Sequence, residues 1–132
     1  MKNLFFTVLM AIVTTVAYSQ TKESLTIQNE KYEFGKITYG KPVEYIVTLT
    51  NTGTDSLKLE NVKAGCGCTT PSFVPNQVFG PGQSIQITIR FNGSVMGRFV
   101  RYTDIFLSGG IIKQVSFTGE GVQETKNNNK SK

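Results

Sequence analysis

The clearest candidates for chemistry are Cys66 and Cys68, which are separated only by Gly67. In a strand, two residues at this spacing point to the same face with Cα atoms about 6.6 Å apart, close to the upper limit for a disulfide. A glycine between them lets the backbone bend and bring the sulfurs together. Closing so short a loop contributes only about 1.6 kcal/mol of chain entropy, and strain in the ring opposes that gain. We therefore expect that a disulfide here stabilises the fold little and is easily reduced.

The sequence leaves three interpretations of Cys66 and Cys68 open. In the first, both are structural, either as small packed hydrophobes or as a local disulfide at a bend. In the second, two thiolates on one face bind a soft ion such as Cu(I). A Zn site in one chain would also need carboxylates, because the sequence contains no histidine, although two copies of the chain could form a four-cysteine site. In the third, the pair exchanges disulfides, without the Cys-x-x-Cys spacing and helix N-terminus that usually activate a thiol.

Side-chain groupings typical of enzyme active sites are missing from the rest of the sequence. Without histidine there is no Ser-His or Cys-His nucleophile pair, and the nine acidic residues show no paired placement of the kind that a glycosidase needs. The segments Gly80-Pro81-Gly82 and Gly109-Gly110 do not open onto a helix that could cradle a phosphate, so they are interpreted as turns. We predict that the protein is not an enzyme and that it has no catalytic residues and no cofactor.

The N-terminal residues have the pattern of a secretory signal peptide. Lys2 gives a positive start, and the apolar run 4–16 is too short to span a bilayer as a stable helix. Ala17-Tyr18-Ser19 supplies small residues at the two positions that a signal peptidase reads, which predicts a signal peptide over residues 1–19 with cleavage between Ser19 and Gln20. No cysteine follows the apolar run, so a lipoprotein is not expected. The mature chain is predicted to be periplasmic or secreted, with no stable membrane insertion.

The basic character of the chain is mild and dispersed. The formal net charge is +5, and the lysines are scattered along the sequence or lie in its C-terminal tail. A nucleic-acid site would need lysine and arginine clustered on one face with aromatic residues between them. Nucleic acid is therefore not an expected partner.

Apolar and polar residues alternate along most of the chain, which is typical of short strands. The two clearest inward-facing sets are Val43, Tyr45, Val47 and Leu49, and Ile85, Ile87, Ile89 and Phe91. Pro81-Gly82 has the composition of a type II turn that leads into the second set. About seven to eight antiparallel strands at this spacing predict an all-β, immunoglobulin-like sandwich over residues 20–121. The polar segment 122–132 is predicted to be a disordered tail.

Several separated motifs give the chain a family resemblance. They are Phe34-Gly35, Asn51-Thr52-Gly53, Cys66-Gly67-Cys68-Thr69, Pro81-Gly82, Gly97 and Phe117-Thr118-Gly119-Glu120-Gly121. With these motifs in this order, the chain resembles the bacterial domain-of-unknown-function family numbered 1573, which is similar to the ASPM, SPD-2 and hydin-like immunoglobulin domains. The resemblance covers roughly residues 32–121. It implies an exported β-sandwich module with no established activity.

These features favour a non-enzymatic interaction or structural module of the cell envelope. Such a module would bind an unidentified envelope or extracellular protein by adding a strand at a sheet edge or through loops at one end of the sandwich. The alternative is a thiol protein that binds a soft metal or exchanges disulfides through Cys66 and Cys68. The sequence gives no indication of the oligomeric state.

Overall fold

The computed structural model describes residues 23–125. The predicted signal peptide, its cleavage point between Ser19 and Gln20, and the part of the tail after Thr125 lie outside these residues. Within them the chain forms nine strands and one turn of 3-10 helix, Ser108–Gly110. The strands are β1 (Leu25–Gln28), β2 (Lys31–Thr38), β3 (Val43–Asn51), β4 (Leu57–Ala64), β5 (Thr69–Ser72), β6 (Gln77–Phe79), β7 (Ser84–Phe91), β8 (Gly97–Leu107) and β9 (Ile111–Val122). Between residues 23 and 125 no helix has the length and apolarity needed to cross a membrane.

The strands form two facing sheets. Sheet A has the order β1-β3-β7-β5, and sheet B has the order β2-β9-β8-β4-β6. This architecture confirms the predicted all-β, immunoglobulin-like sandwich. Two details differ from the prediction. The described residues contain nine strands rather than seven or eight, and β2 pairs with β9 in parallel, whereas the prediction had antiparallel strands throughout.

The parallel pairing arises where the chain changes sheets after β1. Asn29 adopts a left-handed backbone conformation with φ of 62°, which asparagine tolerates better than most residues. The turn there carries the chain from the edge of sheet A to the edge of sheet B. One edge strand is therefore divided into β1 and β2, and its second half lies alongside β9 in the same direction. Periodicity alone does not show which sheet a strand joins.

The core lies between the sheets and is filled by alternate residues of the long strands. Val47, Leu49, Ile87 and Ile89 of sheet A are fully buried, as is Ile105 of sheet B. Toward one end of the sandwich the core is aromatic, with ring centroids 4.6 to 6.2 Å apart. The rings are those of Tyr32, Phe34, Tyr45, Phe91, Phe99 and Phe117. This packing fixes the strand ends from which the candidate sites are built.

The domain extends one residue further than the sequence predicted. Val122 was assigned to the tail, but it is the last residue of β9, and its carbonyl accepts a hydrogen bond from the backbone N–H of Tyr39. Beyond the strand, the Glu124 carboxylate forms an exposed ion pair with Lys41 at 2.7 Å. Pairing with β2 therefore orders the chain past Gly121.

Candidate functional site

The connection between β4 and β5 carries the two cysteines across from sheet B to sheet A. Backbone hydrogen bonds hold both ends of this connection. The Gly65 N–H donates to the carbonyl of Tyr102 on β8 at 2.9 Å, and the Asn92 N–H donates to the carbonyl of Cys68 at 3.0 Å. A turn is closed between them by the Thr69 N–H and the Cys66 carbonyl at 3.3 Å. We call residues 65–69 the disulfide turn.

A disulfide joins Cys66 and Cys68 within this turn. Their Cα atoms are 5.3 Å apart, closer than the spacing of alternate residues in an extended strand, because the backbone bends here instead of continuing β4. A side chain at Gly67 would meet no atom of residues 23–125 within 4 Å, so Gly67 faces away from this part of the chain. Both cysteines are half-buried, and Cys68, unlike Cys66, packs against the buried hydrophobic core. The bond is thus partly open to solvent.

Thr69 places one hydroxyl against both sulfurs. Its Oγ1 lies 3.6 Å from Sγ of Cys66 and 3.8 Å from Sγ of Cys68. Thr69 is buried, because it pairs with Phe91 of β7 and faces inward. A buried hydroxyl in this position can donate to whichever sulfur carries negative charge. Thr69 was not among the predicted site residues, although it directly follows Cys68.

Arg101 brings a positive charge to the same end of the sandwich. Ala64 pairs with Thr103 and the Gly65 N–H bonds to the Tyr102 carbonyl, so Arg101 is the next residue along β8 from the point where the disulfide turn is attached. The guanidinium carbon lies 5.9 Å from the ring centroids of both Phe91 and Phe99. One terminal nitrogen donates to the Val100 carbonyl at 2.9 Å, and the buried Nε has no hydrogen-bond partner among the described residues.

The residues around the cysteines do not fit a metal centre. Among residues 23–125 no three histidine, cysteine, aspartate or glutamate side chains come together. The two sulfurs are bonded to each other, and the Thr69 hydroxyl lies within hydrogen-bond distance of both. A Cu(I) or Zn ion at Cys66 and Cys68 would therefore need the bond to be reduced and further ligands to come from outside this chain.

A second candidate site is the uncovered half of β3. Strand β1 pairs only with residues 48–51 of β3, and because the chain then leaves for sheet B, residues 43–47 have no neighbouring strand on that side in the described part of the chain. The side-chain amide of Asn29 donates to the Ile46 carbonyl at 2.8 Å, which shows that the Ile46 backbone faces this side. Alternate residues face the same way, so the backbone groups of Glu44 are also directed outward. We call residues 43–47 the open edge of β3.

These features define an immunoglobulin-like β-sandwich with a disulfide turn at one end. The chain belongs to the family described as protein of unknown function, DUF1573, whose model matches residues 25–120. No curated protein matches the sequence significantly.

Three solved structures illustrate the likeness in fold. The ASH/PapD-like domain 7 of human CEP192 has a TM-score of 0.66 at 14% identity, with 84% of this chain and 96% of that chain covered. A protein of unknown function from Porphyromonas gingivalis has a TM-score of 0.59 at 17% identity, with 73% and 46% covered. The YadV chaperone has a TM-score of 0.53 at 13% identity, with 74% and 52% covered. The chain thus spans about half the length of the last two. At these identities the likeness concerns the fold alone.

Proposed function

We propose that this protein is an exported, non-enzymatic interaction module of the cell envelope. It binds an extended segment of a partner protein by adding that segment as a strand to the open edge of β3. The observation that carries the proposal is the departure of β1 from sheet A after Gln28, which leaves the first half of β3 without a neighbouring strand on that side among residues 23–125. Export rests on the predicted signal peptide of residues 1–19.

The open edge of β3 offers both backbone and side-chain contacts to such a segment. Within the described part of the chain, the N–H and C=O of Glu44 and the N–H of Ile46 are available for a ladder, while the Ile46 carbonyl is held by Asn29. The Ile46 side chain is 43% exposed on the outer face of the sheet. Main-chain hydrogen bonds would provide affinity, and an apolar partner residue beside Ile46 would provide specificity.

The other sheet edges are less suitable for strand addition. Strand β6 has only three residues, and β5 has four, including Pro71, which lacks an N–H to donate. Strand β2 is longer, but its pairing with β9 is interrupted between Glu33 and Lys36, where Gly35 adopts a φ of 69°. Irregularities of this kind commonly prevent an edge strand from pairing with a strand of another protein.

Proline at position 46 tests the proposal. Ile46→Pro removes an N–H that faces the open edge and leaves the hydrogen bonds to β7 intact, so partner binding should be lost while the fold is kept. Val78→Pro is the matched control. Val78 lies on β6 opposite Lys58, whose N–H points away from β6 toward Ser108. The Val78 N–H therefore points away from β4, toward the outer edge of sheet B. Val78→Pro thus also removes an outward-facing N–H, but at a different sheet edge.

The measurement is photo-crosslinking in the periplasm of the cells that make the protein, with a benzophenone side chain at position 44. The recovered domain should begin at Gln20 by intact mass, and mass spectrometry should identify one extended partner segment with wild type and with Val78→Pro, but not with Ile46→Pro. Equal crosslinking by all three proteins would refute strand addition at this edge. Recovery of a domain that still carries Met1 would refute export by signal cleavage.

A further inference from the structure

Beyond binding at β3, we propose that the Cys66–Cys68 disulfide is a thiol–disulfide exchange site that oxidises a pair of thiols on a partner protein. Cys66 is the sulfur that the partner attacks, Cys68 is the leaving thiolate, and the Thr69 hydroxyl stabilises that thiolate. The disulfide turn and the open edge of β3 are separate features, so either function can fail without the other.

The disulfide is not needed to hold the turn in place. The three backbone hydrogen bonds from Gly65, Thr69 and Asn92 already fix both ends and the middle of the connection. A loop closed between Cys66 and Cys68 contributes only about 1.6 kcal/mol by the chain-entropy expression. Its stabilising role is therefore small, whereas partly exposed disulfides are the ones that exchange readily.

The environments of the two sulfurs differ in a way that assigns their roles. Cys68 packs against the buried core and is tied through its carbonyl to Asn92 of the neighbouring connection. Cys66 is half-buried but does not pack against the core, and both of its neighbours, Gly65 and Gly67, are exposed. An incoming thiolate therefore attacks Cys66. The Cys66–Cys68 bond then breaks, and its electron pair stays on Cys68, which leaves as a thiolate.

One hydroxyl is in place to stabilise the negative charge that appears on Cys68. The Thr69 hydroxyl, 3.8 Å from that sulfur while the bond is intact, can donate a hydrogen bond to the thiolate. A hydrogen bond stabilises a thiolate and makes it a better leaving group.

The reaction balances as a two-electron exchange. A partner thiolate attacks Sγ of Cys66, an intermolecular disulfide forms, and the electron pair of the Cys66–Cys68 bond remains on Cys68. The partner's second thiolate then attacks its own sulfur in that mixed disulfide and releases Cys66 as a thiolate. The partner gains a disulfide, and the domain becomes a dithiol after taking up two protons.

An exposed aromatic side chain beside the turn suits a protein partner. Tyr102, whose carbonyl holds Gly65, is 51% exposed on the outer face of sheet B. Aromatic side chains of this kind are enriched where proteins dock. The ring offers an apolar contact immediately next to the disulfide turn, which a small thiol such as glutathione would not need.

Substitution of Thr69 tests the role of its hydroxyl. The initial rate at which reduced glutathione opens the disulfide of the folded, mature chain is measured by alkylation and intact mass. Thr69→Val should slow this rate about tenfold, because the leaving thiolate loses a hydrogen bond, whereas Thr69→Ser should stay within about threefold of wild type. A Thr69→Val rate equal to that of wild type, or a Thr69→Ser rate as slow as that of Thr69→Val, would overturn this role.

The wild-type protein tests the assignment without any substitution. Acid quenching early in the reaction with glutathione, followed by peptide mapping, should find the glutathione on Cys66. Glutathione on Cys68, or reduction that occurs only in denaturant strong enough to unfold the domain by circular dichroism, would overturn the proposal.

A protein probe distinguishes a partner protein from a small thiol. Reduced pancreatic ribonuclease should regain disulfides at the expense of the domain, and Tyr102→Ser should slow this several-fold while leaving the rate with glutathione unchanged. Ile112→Ser is the control, since Ile112 is 61% exposed on the same sheet but paired with Phe106, away from the turn. If both variants and the wild type oxidise ribonuclease at the same rate, Tyr102 is not the docking residue. If ribonuclease is not oxidised at all, the proposal that the substrate is a pair of protein thiols is wrong.

Discussion

Asn51 shows how a fully buried polar residue can be accommodated when each of its groups has a partner. Its side-chain nitrogen donates to the carbonyls of Asp55 and Phe79 at 2.7 and 3.0 Å, and its side-chain oxygen accepts from the Gly53 N–H at 3.0 Å. Its backbone is joined to Gln83 and Gly82. The Asn51-Thr52-Gly53 motif therefore has a structural role, because the Asn51 side chain joins the end of β3 to the loop that follows it and to β6.

Tyr45 is the opposite case, and it yields a prediction at the scale of one residue. It is buried within the aromatic cluster, and its hydroxyl has no hydrogen-bond partner among the described residues. Tyr45→Phe removes an unsatisfied buried group and should raise the free energy of unfolding by about 1 kcal/mol, or the melting temperature by about 5 °C. Thermal unfolding followed by circular dichroism measures this.

The pH dependence of stability provides a check on Tyr45→Phe. Burial raises the pKa of Tyr45 from 10.0 to about 12, because the phenolate is poorly solvated there. The neutral phenol therefore favours the folded state below pH 10, and that contribution is lost as the pH rises toward 12. Tyr45→Phe should lose less stability than wild type between pH 10 and 12. If the half-buried Tyr32→Phe control behaves identically, Tyr45 is not the group responsible.

At this scale the sequence indicated the chemistry but only part of the site. Two cysteines around a glycine stand out in any sequence, so Cys66 and Cys68 were found. Thr69 is an ordinary strand residue until the turn brings its hydroxyl to both sulfurs. Arg101 belongs to another strand, and only the register of β8 against β4 brings it to the end of the sandwich that carries the disulfide turn. Contacts of this kind depend on strand pairing, which local patterns do not encode.

At the scale of elements, two glycines of the family motifs have different structural roles. Gly121 lies in β9 where a Cβ would overlap the Val95 carbonyl, whereas a Cβ on Gly35 would meet nothing within 4 Å. Gly35 instead adopts a φ of 69°, at the irregularity in β2. Close approach of the backbone requires the first glycine, and the left-handed conformation favours the second.

Alanine substitutions separate these two roles. Gly121→Ala should lower the free energy of unfolding by about 3 kcal/mol, because the backbone of the 92–96 connection must move away from β9. Gly35→Ala should lower it by about 1 kcal/mol, which is the usual strain of a left-handed non-glycine residue. Urea unfolding of both variants measures the difference. A larger loss for Gly35→Ala than for Gly121→Ala would show that the packing at Val95 adapts easily.

The elements that the sequence predicted best are those with one buried and one exposed face. Alternation located β3 and β7, and Gly82, with a φ of 78°, completes the predicted turn before β7. The division of one edge strand into β1 and β2 was not predicted, since both halves have the same alternating pattern. The open edge of β3 follows from that division, so it too was beyond the reach of periodicity.

At the scale of the whole molecule, the two sheets are joined chiefly by apolar packing. The largest fully buried side chains come from β3, β4, β6, β7, β8 and β9, so both sheets contribute to one core. The disulfide, by contrast, links residues only two apart within a single connection. A crosslink of that span restricts the unfolded chain very little.

The double substitution Cys66→Ser and Cys68→Ser should therefore lower the free energy of unfolding by no more than about 2 kcal/mol and leave the circular-dichroism spectrum unchanged. Ile87→Ala is the comparison, since it empties a fully buried site between the sheets and should lower stability by about 2 to 5 kcal/mol. Urea unfolding under oxidising conditions compares the two.

Crosslinking at the open edge of β3 should survive the cysteine substitutions, because that edge lies in sheet A and its strands are held by the core. Unfolding of the cysteine variant at 25 °C would instead make the bond a structural requirement of the sandwich and would remove the reason to regard it as an exchange site.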